Sequence, residues 1–320
     1  MGGKTVITGA SGMIGTALAR QCADAGEEVL AICHRNSEKN HVLQEMRGVE
    51  VLEADLSEYA GLASGGWERK YDTFYHLAWA GTTGAARNDM ALQTDNIRYA
   101  LDAVTLAKSM GCHTFVGTGS QAEYGRRQEP LRPETPAFPE TGYGMAKLCA
   151  GQMTRHSCGQ KGIKHIWARV LSVYGPHGSQ DMITVALQKL TRGEHVGFTA
   201  GEQIWDYLYS EDAARALRLM AERGVSGKTY VLAHGQPHPL KDYIETLYKA
   251  VCVEMDCKGR RAGTIGIGEL PYQEGQLMYL TGDITELLRD TGFSPQYSFK
   301  EGLGKMLAEN SCCGTGKPGI

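Results

Sequence analysis

A strand that runs into a glycine-rich turn opens the chain and constrains its fold more than any other feature. Residues 4–8 are rich in β-branched side chains, and Gly9, Gly12 and Gly15 stand between them and a helical pattern. Glycine permits a sharp turn, close approach of the backbone to a pyrophosphate, and tight packing of helix on strand. The turn therefore predicts dinucleotide binding at a helix N-terminus, with a purely structural turn as the alternative. The predicted contacts are Gly9, Ser11, Gly12, Met13, Ile14 and Gly15.

Composition narrows the class of protein. The chain has 320 residues, of which 42% are hydrophobic, enough for one large or two closely joined domains. A net charge of −3 gives no field that would gather nucleic acid or an anionic membrane. The nine cysteines lack metal-ligand spacing, so we expect no metal and reduced thiols. Without an apparent leader or an apolar run near the ~18 residues of a membrane helix, we expect a cytoplasmic protein.

Strand patterns alternate with helical patterns through the first half of the chain. After the opening strand, further strands are predicted at residues 27–33, 49–56, 71–80 and 113–117. This alternation predicts an α/β fold of the Rossmann type, in which a doubly wound parallel sheet binds its ligand at the carboxyl ends of the strands.

The loop after the second strand indicates which dinucleotide binds. In such folds this loop meets the adenosine ribose, where an acidic side chain favours NAD. His34 and Arg35 stand there instead, and an arginine can bind a 2′-phosphate through charge-assisted hydrogen bonds. We therefore predict NADP, with NAD as the alternative cofactor and a solvated loop as the alternative role of Arg35.

A tyrosine and a lysine four residues apart form a candidate acid/base pair. Tyr143 and Lys147 would lie on one face of a helix, and Ser120 ends a predicted strand. A nearby ammonium group favours the phenolate, so we expect Lys147 to lower the pKa of Tyr143 from about 10. The phenol could then exchange a proton with a sugar hydroxyl.

Together these motifs resemble the extended short-chain dehydrogenases/reductases of the NAD-dependent epimerase/dehydratase family. The resemblance covers roughly residues 4–308 and includes the stretches 8–15, 143–147, 169–176 and 201–214. Members mostly act on nucleotide sugars. The resemblance implies that Ser120 orients the substrate oxygen, that Tyr143 is the acid/base, and that Lys147 holds the nicotinamide ribose.

The same resemblance implies further binding residues. Asp55 and Leu56 match a pair that contacts adenine, although Asp55 could equally cap a helix. Asn96 matches an asparagine that braces the catalytic strand, with a solvent-facing side chain as the alternative. The remaining cofactor contacts implied are Leu77, Ala78 and Trp79, and the substrate contacts implied are Ser120, Gln121, Tyr174 and Trp205.

Two departures from the family pattern bear on the substrate. Trp205 stands where many relatives have an arginine that binds the nucleotide diphosphate, and its alternative role is in the core. Gln121 and Ala122 follow Ser120 where 4,6-dehydratases have an acidic pair, while Glu123 should point to the opposite side. Dehydration is therefore disfavoured. Candidate replacements for the lost positive charge are Lys189, Arg192, Arg260 and Arg261.

The sequence thus predicts an NAD(P)-dependent 4-epimerase or 4-ketoreductase of a nucleotide sugar. A reductase of a non-sugar carbonyl and a non-catalytic dinucleotide sensor are the alternatives. We expect a homodimer formed through the helices at residues 89–110 and 143–159. The predicted domains are a Rossmann domain at 1–175 with a returning segment near 204–224, a substrate-binding region at 176–203 and 225–309, and a flexible tail at 310–320.

Overall fold

A seven-stranded parallel sheet forms the centre of the molecule. The computed structural model describes residues 3–178 and 181–313. The strands of this sheet are β1 (Lys4–Thr8), β2 (Glu28–Cys33), β3 (Val49–Glu53), β4 (Thr73–His76), β5 (Thr114–Ser120), β6 (Lys164–Val170) and β11 (Thr229–Leu232), in the order β11-β6-β5-β4-β1-β2-β3. The order reverses direction between β1 and β4. This reversal opens a crevice at the carboxyl ends of the strands, where ligands of such folds bind. The predicted Rossmann-type sheet is confirmed.

Helices cover both faces of the sheet because neighbouring strand residues point to opposite sides. In β1, Val6 packs in one core cluster and Ile7 in the other. The helices and 3₁₀ turns around this sheet are α1 (Met13–Asp24), α2 (Asn40–Gln44), α3 (Tyr59–Ala63), α4 (Met90–Ser109), α5 (Gly142–Lys161), α7 (Ser210–Arg223) and the turns Leu56–Glu58, Gly84–Asn88 and Gln121–Glu123. Helix α1 packs against α7, and α4 packs against α3 and α5.

Three predicted strand ends differ from the structure. The third strand stops at Glu53 because Asp55 caps the turn Leu56–Glu58. The fourth stops at His76, so that the chain crosses the sheet edge as a loop. The fifth continues to Ser120, whose side chain then accepts a hydrogen bond from the Ala122 N–H.

The C-terminal part builds a second core beside the sheet. Its elements are β7 (Ser172–Tyr174), α6 (Met182–Thr191), β8 (His195–Phe198), β9 (Ile204–Trp205), β10 (Tyr207–Tyr209), β12 (His238–Pro239), α8 (Leu240–Cys257), β13 (Thr264–Ile267), β14 (Tyr279–Leu280), α9 (Thr285–Thr291) and α10 (Phe299–Cys313). Buried side chains such as Leu187, Leu247 and Leu303 form the core between α6, α8 and α10.

The returning segment reaches further than the sequence indicated. Strand β11, beyond the returning segment predicted near 204–224, pairs with β6, so residues 229–232 form the seventh strand of the main sheet. Helix α10 continues to Cys313, past the predicted start of the tail at residue 310. Residues 314–320 of the predicted tail lie outside the described residues.

Candidate active site

Two cavities follow one another along the carboxyl ends of β1, β4 and β5. Their volumes are about 450 and 500 Å³, and both are lined by Gly9, Gly12, Leu77 and Trp79. Because they share these residues, they form one groove across the sheet edge. Residues that line only one of them include Ser11, His34, Ala54, Asp55, Leu56, Tyr59 and Tyr99 in the first, and Met13, Ile14, Gly15, Thr82, Thr118, Ser120, Tyr143 and Lys147 in the second.

The glycine turn has the geometry that a dinucleotide requires. Gly9 has a φ of +68°, and a Cβ atom there would lie 2.7 Å from the Ala78 nitrogen. A Cβ atom on Gly15 would collide with the Gly9 carbonyl oxygen. Helix α1 begins at Met13 with no side-chain cap, so its first N–H groups remain available to an anion. The residues present therefore fit a bound pyrophosphate.

The far end of the groove contains the predicted adenosine contacts. Asp55 forms a capping box with Glu58, whose carboxylate accepts a hydrogen bond from the Asp55 N–H at 2.7 Å. Asp55 also lines the cavity together with Leu56 and His34. Asp55 therefore caps a turn, the alternative role considered for it, and it also lines the groove in which an adenine contact is predicted.

Arg35 pairs with the carboxylate of Glu58, which no local sequence pattern indicates. Its Nε and Nη2 atoms donate to the two carboxylate oxygens of Glu58 at 3.0 and 2.6 Å. The paired guanidinium lowers the pKa of Glu58 to about 2, with the hydrogen bond as the main cause. A 2′-phosphate would have to share Arg35 with Glu58.

Helix α5 presents the acid/base pair to the groove. Thr141 caps the helix by accepting a hydrogen bond from the Gly144 N–H at 3.1 Å, which places Tyr143 in the first turn. Lys147 follows one turn later, and Ser120 comes from the end of β5. All three side chains are at least nine-tenths buried and line the same cavity. The structure brings together the three residues predicted to be catalytic.

The ionisation of the pair differs from the expectation. Burial raises the pKa of Tyr143, while a hydrogen bond with Ser120 and the charge of Arg87 act in the opposite direction. Burial also lowers the pKa of Lys147 to about 7. The ammonium group donates to the Thr118 carbonyl oxygen at 2.7 Å and lies 3.9 Å from the centre of the Trp79 ring. The expected net lowering of the Tyr143 pKa by Lys147 is therefore not found, because desolvation of the phenolate dominates.

Two of the predicted cofactor residues shape the loop that follows β4. Asn96 is buried and holds Ala80 through two hydrogen bonds, of 3.0 Å to its N–H and 2.9 Å to its carbonyl oxygen. It supports this loop rather than lining the groove or bracing β5. The Trp79 indole N–H donates to Gln93 at 2.9 Å, which leaves the ring face against Lys147.

A buried acidic residue fixes Ser120 from behind. The carboxylate of Glu123 accepts hydrogen bonds from the Ser120 N–H at 2.9 Å, the Trp167 indole at 3.0 Å and the Arg169 Nε at 2.6 Å. Glu123 has no exposed surface, so it points away from the groove as predicted. These three hydrogen bonds occupy both oxygens of the Glu123 carboxylate.

The other predicted substrate contacts lie outside the groove. Tyr174 is buried in the C-terminal core, where its hydroxyl donates to the Phe299 carbonyl oxygen at 3.2 Å. Its neighbour Val173 lines the groove instead, because successive residues of β7 point to opposite sides. Trp205 packs at the edge of a core cluster and donates to the Ser172 hydroxyl at 2.8 Å. Gln121 is half-buried in its turn and does not line either cavity.

The candidate replacement cations do not line the groove. Arg260 lies beyond α8, with its guanidinium 3.5 Å from the Thr191 carbonyl oxygen at the end of α6. Lys189 and Arg192 belong to the same end of α6, at its C-terminus and cap. A different pair, Arg126 and Arg127, lines a separate cavity of about 600 Å³ beside β14, along with Gln128, Glu129, Gln276, Leu277, Met278 and Tyr279.

Several residues of the groove were not anticipated from the sequence. Thr82 and Thr83 line it from the loop after β4, and Thr118 lines it from β5. Arg87 lies with its guanidinium carbon 4.4 Å from the centre of the Tyr143 ring. The only local signal was that these residues follow predicted strands or precede a predicted helix, which is where ligands bind in such folds.

Within residues 3–178 and 181–313, no helix combines the length and apolar character needed to cross a membrane. Over the same ranges, no three His, Cys, Asp or Glu side chains are grouped so that they could hold a metal ion.

Comparison with known proteins places the chain in a family. The model of the NAD dependent epimerase/dehydratase family matches residues 5–233. A probable UDP-glucuronate 4-epimerase of Rhizobium meliloti is 25% identical, over 95% of this chain and 96% of its own length. Two solved structures share the fold at 20% identity. They are the UDP-N-acetylglucosamine 4-epimerase of Methanobrevibacter ruminantium M1 in complex with UDP-N-acetylmuramic acid (TM-score 0.83, covering 97% of this chain and 99% of that one) and RMD of Pseudomonas aeruginosa complexed with NADPH (0.77, 96% and 98%). Because the family model matches well over half of its residues, the chain belongs to the NAD dependent epimerase/dehydratase family.

Proposed function

We propose that the protein transfers hydride at a sugar carbon of a nucleotide sugar, as a 4-epimerase or a 4-ketoreductase. The observation that carries this proposal is the convergence of Ser120, Tyr143 and Lys147 in a cavity continuous with the glycine turn. The solved neighbour that contains UDP-N-acetylmuramic acid supports a nucleotide sugar as the substrate class.

Each residue has a role that follows from its position. The glycine turn and the start of α1 hold the pyrophosphate, and Lys147 holds the nicotinamide ribose. Bound nicotinamide supplies or accepts a hydride. Tyr143 gives a proton to the sugar oxygen when a keto group is reduced, and it takes that proton back when the alcohol is oxidised. Ser120 orients the same oxygen through its hydroxyl, in a position fixed by the hydrogen bond from its N–H to Glu123.

The residues that follow Ser120 disfavour dehydration as the reaction. A 4,6-dehydratase needs an extra acid and base near the sugar, and Gln121 and Ala122 cannot act as either. Glu123 has no exposed surface and already accepts three hydrogen bonds. The carboxyl group nearest to Ser120 in sequence is therefore unavailable for elimination.

For the cofactor, we infer that the enzyme accepts both NADP and NAD and prefers NADP. His34 lines the adenosine end of the groove, and Arg35 stands beside it with half of its side chain exposed. The solved neighbour RMD is complexed with NADPH, which supports NADP. Glu58 competes with a phosphate for Arg35 and thereby limits the preference.

Epimerase and ketoreductase differ in how the cofactor is handled. An epimerase oxidises and then reduces one carbon, so it must retain its cofactor, whereas a reductase exchanges it after each turnover. The experiment is to incubate the enzyme with a panel of nucleotide sugars and their 4-keto derivatives, and to identify products by mass spectrometry and NMR. Stoichiometric loss of NAD(P)H absorbance indicates a reductase. Conversion of one sugar into its C4 epimer without net loss indicates an epimerase.

Replacement of the phenolic oxygen tests the chemistry itself. In Tyr143→Phe the ring and its packing remain, so turnover should fall by about 10²–10⁴-fold, the usual contribution of general acid–base catalysis. Cofactor affinity, measured by fluorescence, should stay within about threefold. Near-wild-type turnover of this variant would refute the proposal.

Two other activities are distinguished by the same assays. A non-sugar carbonyl substrate is favoured by the Trp205 indole, which donates to Ser172 and brings no positive charge for a diphosphate. Reduction of simple ketones but of no nucleotide sugar would establish that activity. A protein that binds NAD(P) without turning over any member of either panel would instead be a dinucleotide sensor.

We further propose a cytoplasmic homodimer that pairs α4 and α5 of each subunit. These two helices pack against each other, and α5 exposes Met145 and Met153. Exposed methionines on a long helix are suited to packing against a second copy. Light scattering at micromolar concentration tests this, and a monomer mass would contradict it. The described cysteines, which form no disulfide, support a reducing compartment.

A further inference from the structure

The one-turn segment Gly84–Asn88, between β4 and α4, is fixed to the start of the catalytic helix. Asn88 accepts a hydrogen bond from the Gly142 N–H at 3.1 Å, at the first residue of α5. Gln93 of α4 donates to the carbonyl oxygens of Gly81 and Ala86 at 3.0 and 2.9 Å. The segment lies near the surface, yet hydrogen bonds with α4 and α5 hold it in place. A side chain that it carries is therefore well placed relative to α5.

That side chain is Arg87, which lies over the ring of Tyr143. Its guanidinium carbon is 4.4 Å from the ring centre, and its Nη1 atom donates to the Thr82 carbonyl oxygen at 3.0 Å. Arg87 is half-buried and, among the described residues, makes no ion pair with a carboxylate. Its charge is thus not neutralised locally. Thr82 and Tyr143, which Arg87 contacts, both line the groove.

The other groups around Tyr143 do not provide an equivalent charge. The Lys147 ammonium lies 5.9 Å from the Tyr143 ring centre and directs its hydrogen bond to Thr118. Glu123 is the charge that opposes a phenolate, but Arg169 pairs with it at 2.6 Å. The remaining neighbours, the hydroxyl of Ser120 and the edge of the Trp79 ring, are uncharged. Of the cations in the described site, Arg87 is therefore the closest to the ring.

A cation over an aromatic face is attracted to the electrons of the ring. The attraction grows when the ring carries a full negative charge, as a phenolate does, because charge–charge attraction is then added. Arg87 therefore favours the phenolate form of Tyr143 over the phenol, and it also restrains the ring against rotation.

We propose that Arg87 is a positioning residue for proton transfer, which holds the Tyr143 ring and stabilises its phenolate. The inference rests on the proposed role of Tyr143 as the acid/base. In the oxidative direction the O–H bond of the sugar alcohol breaks, the phenolate takes the proton, and the C–H electron pair leaves as hydride to nicotinamide. In the reductive direction each transfer is reversed, and Arg87 stabilises the phenolate that results. In the oxidative direction the cation therefore acts by raising the fraction of Tyr143 that is phenolate at a given pH, and in the reductive direction it stabilises the phenolate as it forms.

The test measures the ionisation of Tyr143 without a substrate. Tyrosine labelled with ¹³C at Cζ is incorporated into the full chain, which is titrated with saturating oxidised cofactor and followed by NMR. The signal of Tyr143 is identified by its loss in Tyr143→Phe. The variants are Arg87→Met, Arg87→Lys and, as a control, Arg155→Met. Arg155 is an exposed arginine of α5, the helix that carries Tyr143. It is hydrogen-bonded to Gln152 and lies twelve residues, or about 18 Å, beyond Tyr143.

The wild-type signal should titrate, and Arg87→Met should raise its midpoint by about one pH unit or more. Arg87→Lys should restore most of the difference, because it keeps the charge, and Arg155→Met should leave the midpoint unchanged. Equal midpoints in wild type and Arg87→Met would overturn the inference, and so would an equal shift in Arg155→Met or a wild-type signal that does not titrate up to pH 11. Cofactor affinity within threefold of wild type verifies that each variant is folded.

A second readout separates this inference from the proposed function. Once a substrate is known, Arg87→Met should move the pH dependence of oxidative kcat/KM to higher pH, in step with the NMR midpoint. If Tyr143→Phe retains full turnover, the proposed function fails, whatever the NMR result. If Tyr143→Phe is inactive but the NMR midpoints coincide, only the role of Arg87 fails.

Discussion

The buried pair of Glu123 and Arg169 offers a quantitative test of how Ser120 is held. Glu123→Gln keeps the size of the side chain and one oxygen that can accept from the Ser120 N–H. It removes the negative charge that faces Arg169, whose side chain is only 7% exposed. An uncompensated buried charge typically costs about 3–5 kcal/mol of unfolding free energy. Because the amide oxygen can still accept a hydrogen bond, we expect a loss of unfolding free energy at the lower end of this range, about 3 kcal/mol.

The assay is urea unfolding followed by circular dichroism, with the midpoint and the slope compared between variants. A matched control is Glu140→Gln, which removes the carboxylate that accepts from the Arg126 Nε at 2.8 Å on the surface. An exposed pair should cost only about 0–1 kcal/mol. The double variant Glu123→Gln/Arg169→Met removes the stranded charge and should regain much of the loss.

Equal losses in Glu123→Gln and Glu140→Gln would contradict this expectation, and so would a double variant that is less stable than Glu123→Gln alone. Turnover gives an independent check on the link to the site. Because Glu123 accepts from the Ser120 N–H, Glu123→Gln should lower turnover while cofactor affinity changes little.

Two further predictions concern cofactor choice and pH. Glu58→Gln should release Arg35 and raise the preference for NADP over NAD several-fold, while Arg35→Asp should weaken NADP and spare NAD; equal effects on the two cofactors in a fluorescence titration would contradict the assignment. Burial lowers the pKa of His165 to about 4, so between pH 6.5 and about 4 the unfolded chain binds a proton that the folded chain does not. This group should therefore cost about 1.4 kcal/mol of stability per pH unit as the pH falls through that window, and His165→Gln should flatten the measured dependence; an unchanged slope would count against it.

The parts of the site that follow local rules were predictable from sequence. The glycine turn is specified by spacing within seven residues, and Tyr143 and Lys147 share a helix face because they are four residues apart. Asp55 could be assigned a capping role, which the structure shows, while its predicted adenine contact stays a prediction. Glu123 was expected to point away from the groove because successive strand residues alternate, although the structure places it in a 3₁₀ turn rather than in the strand.

The errors arose where a side chain depends on a distant partner. Arg35 pairs with Glu58, which lies 23 residues later in the chain, and no local sequence pattern indicates that pair. Tyr174 was assigned to the substrate because its motif leads toward the substrate region, but its face of β7 is set by packing on Phe299, 125 residues later. The pKa of Tyr143 was predicted from nearby positive charge, that of Lys147 and of oxidised nicotinamide, whereas burial is the largest influence on it in the structure.

Strand β11 has a consequence for how the chain reaches its native state. The sheet is completed only by residues 229–232, which follow α6, β8 and α7 in the chain. While the protein is being synthesised, β6 therefore remains an open edge, and the face of α1 that α7 will cover stays exposed. Unpaired strand edges and exposed apolar surface promote association between nascent chains. The sheet should thus acquire its full stability only after more than two thirds of the chain has emerged, because its last strand pairs with residues far earlier in the sequence.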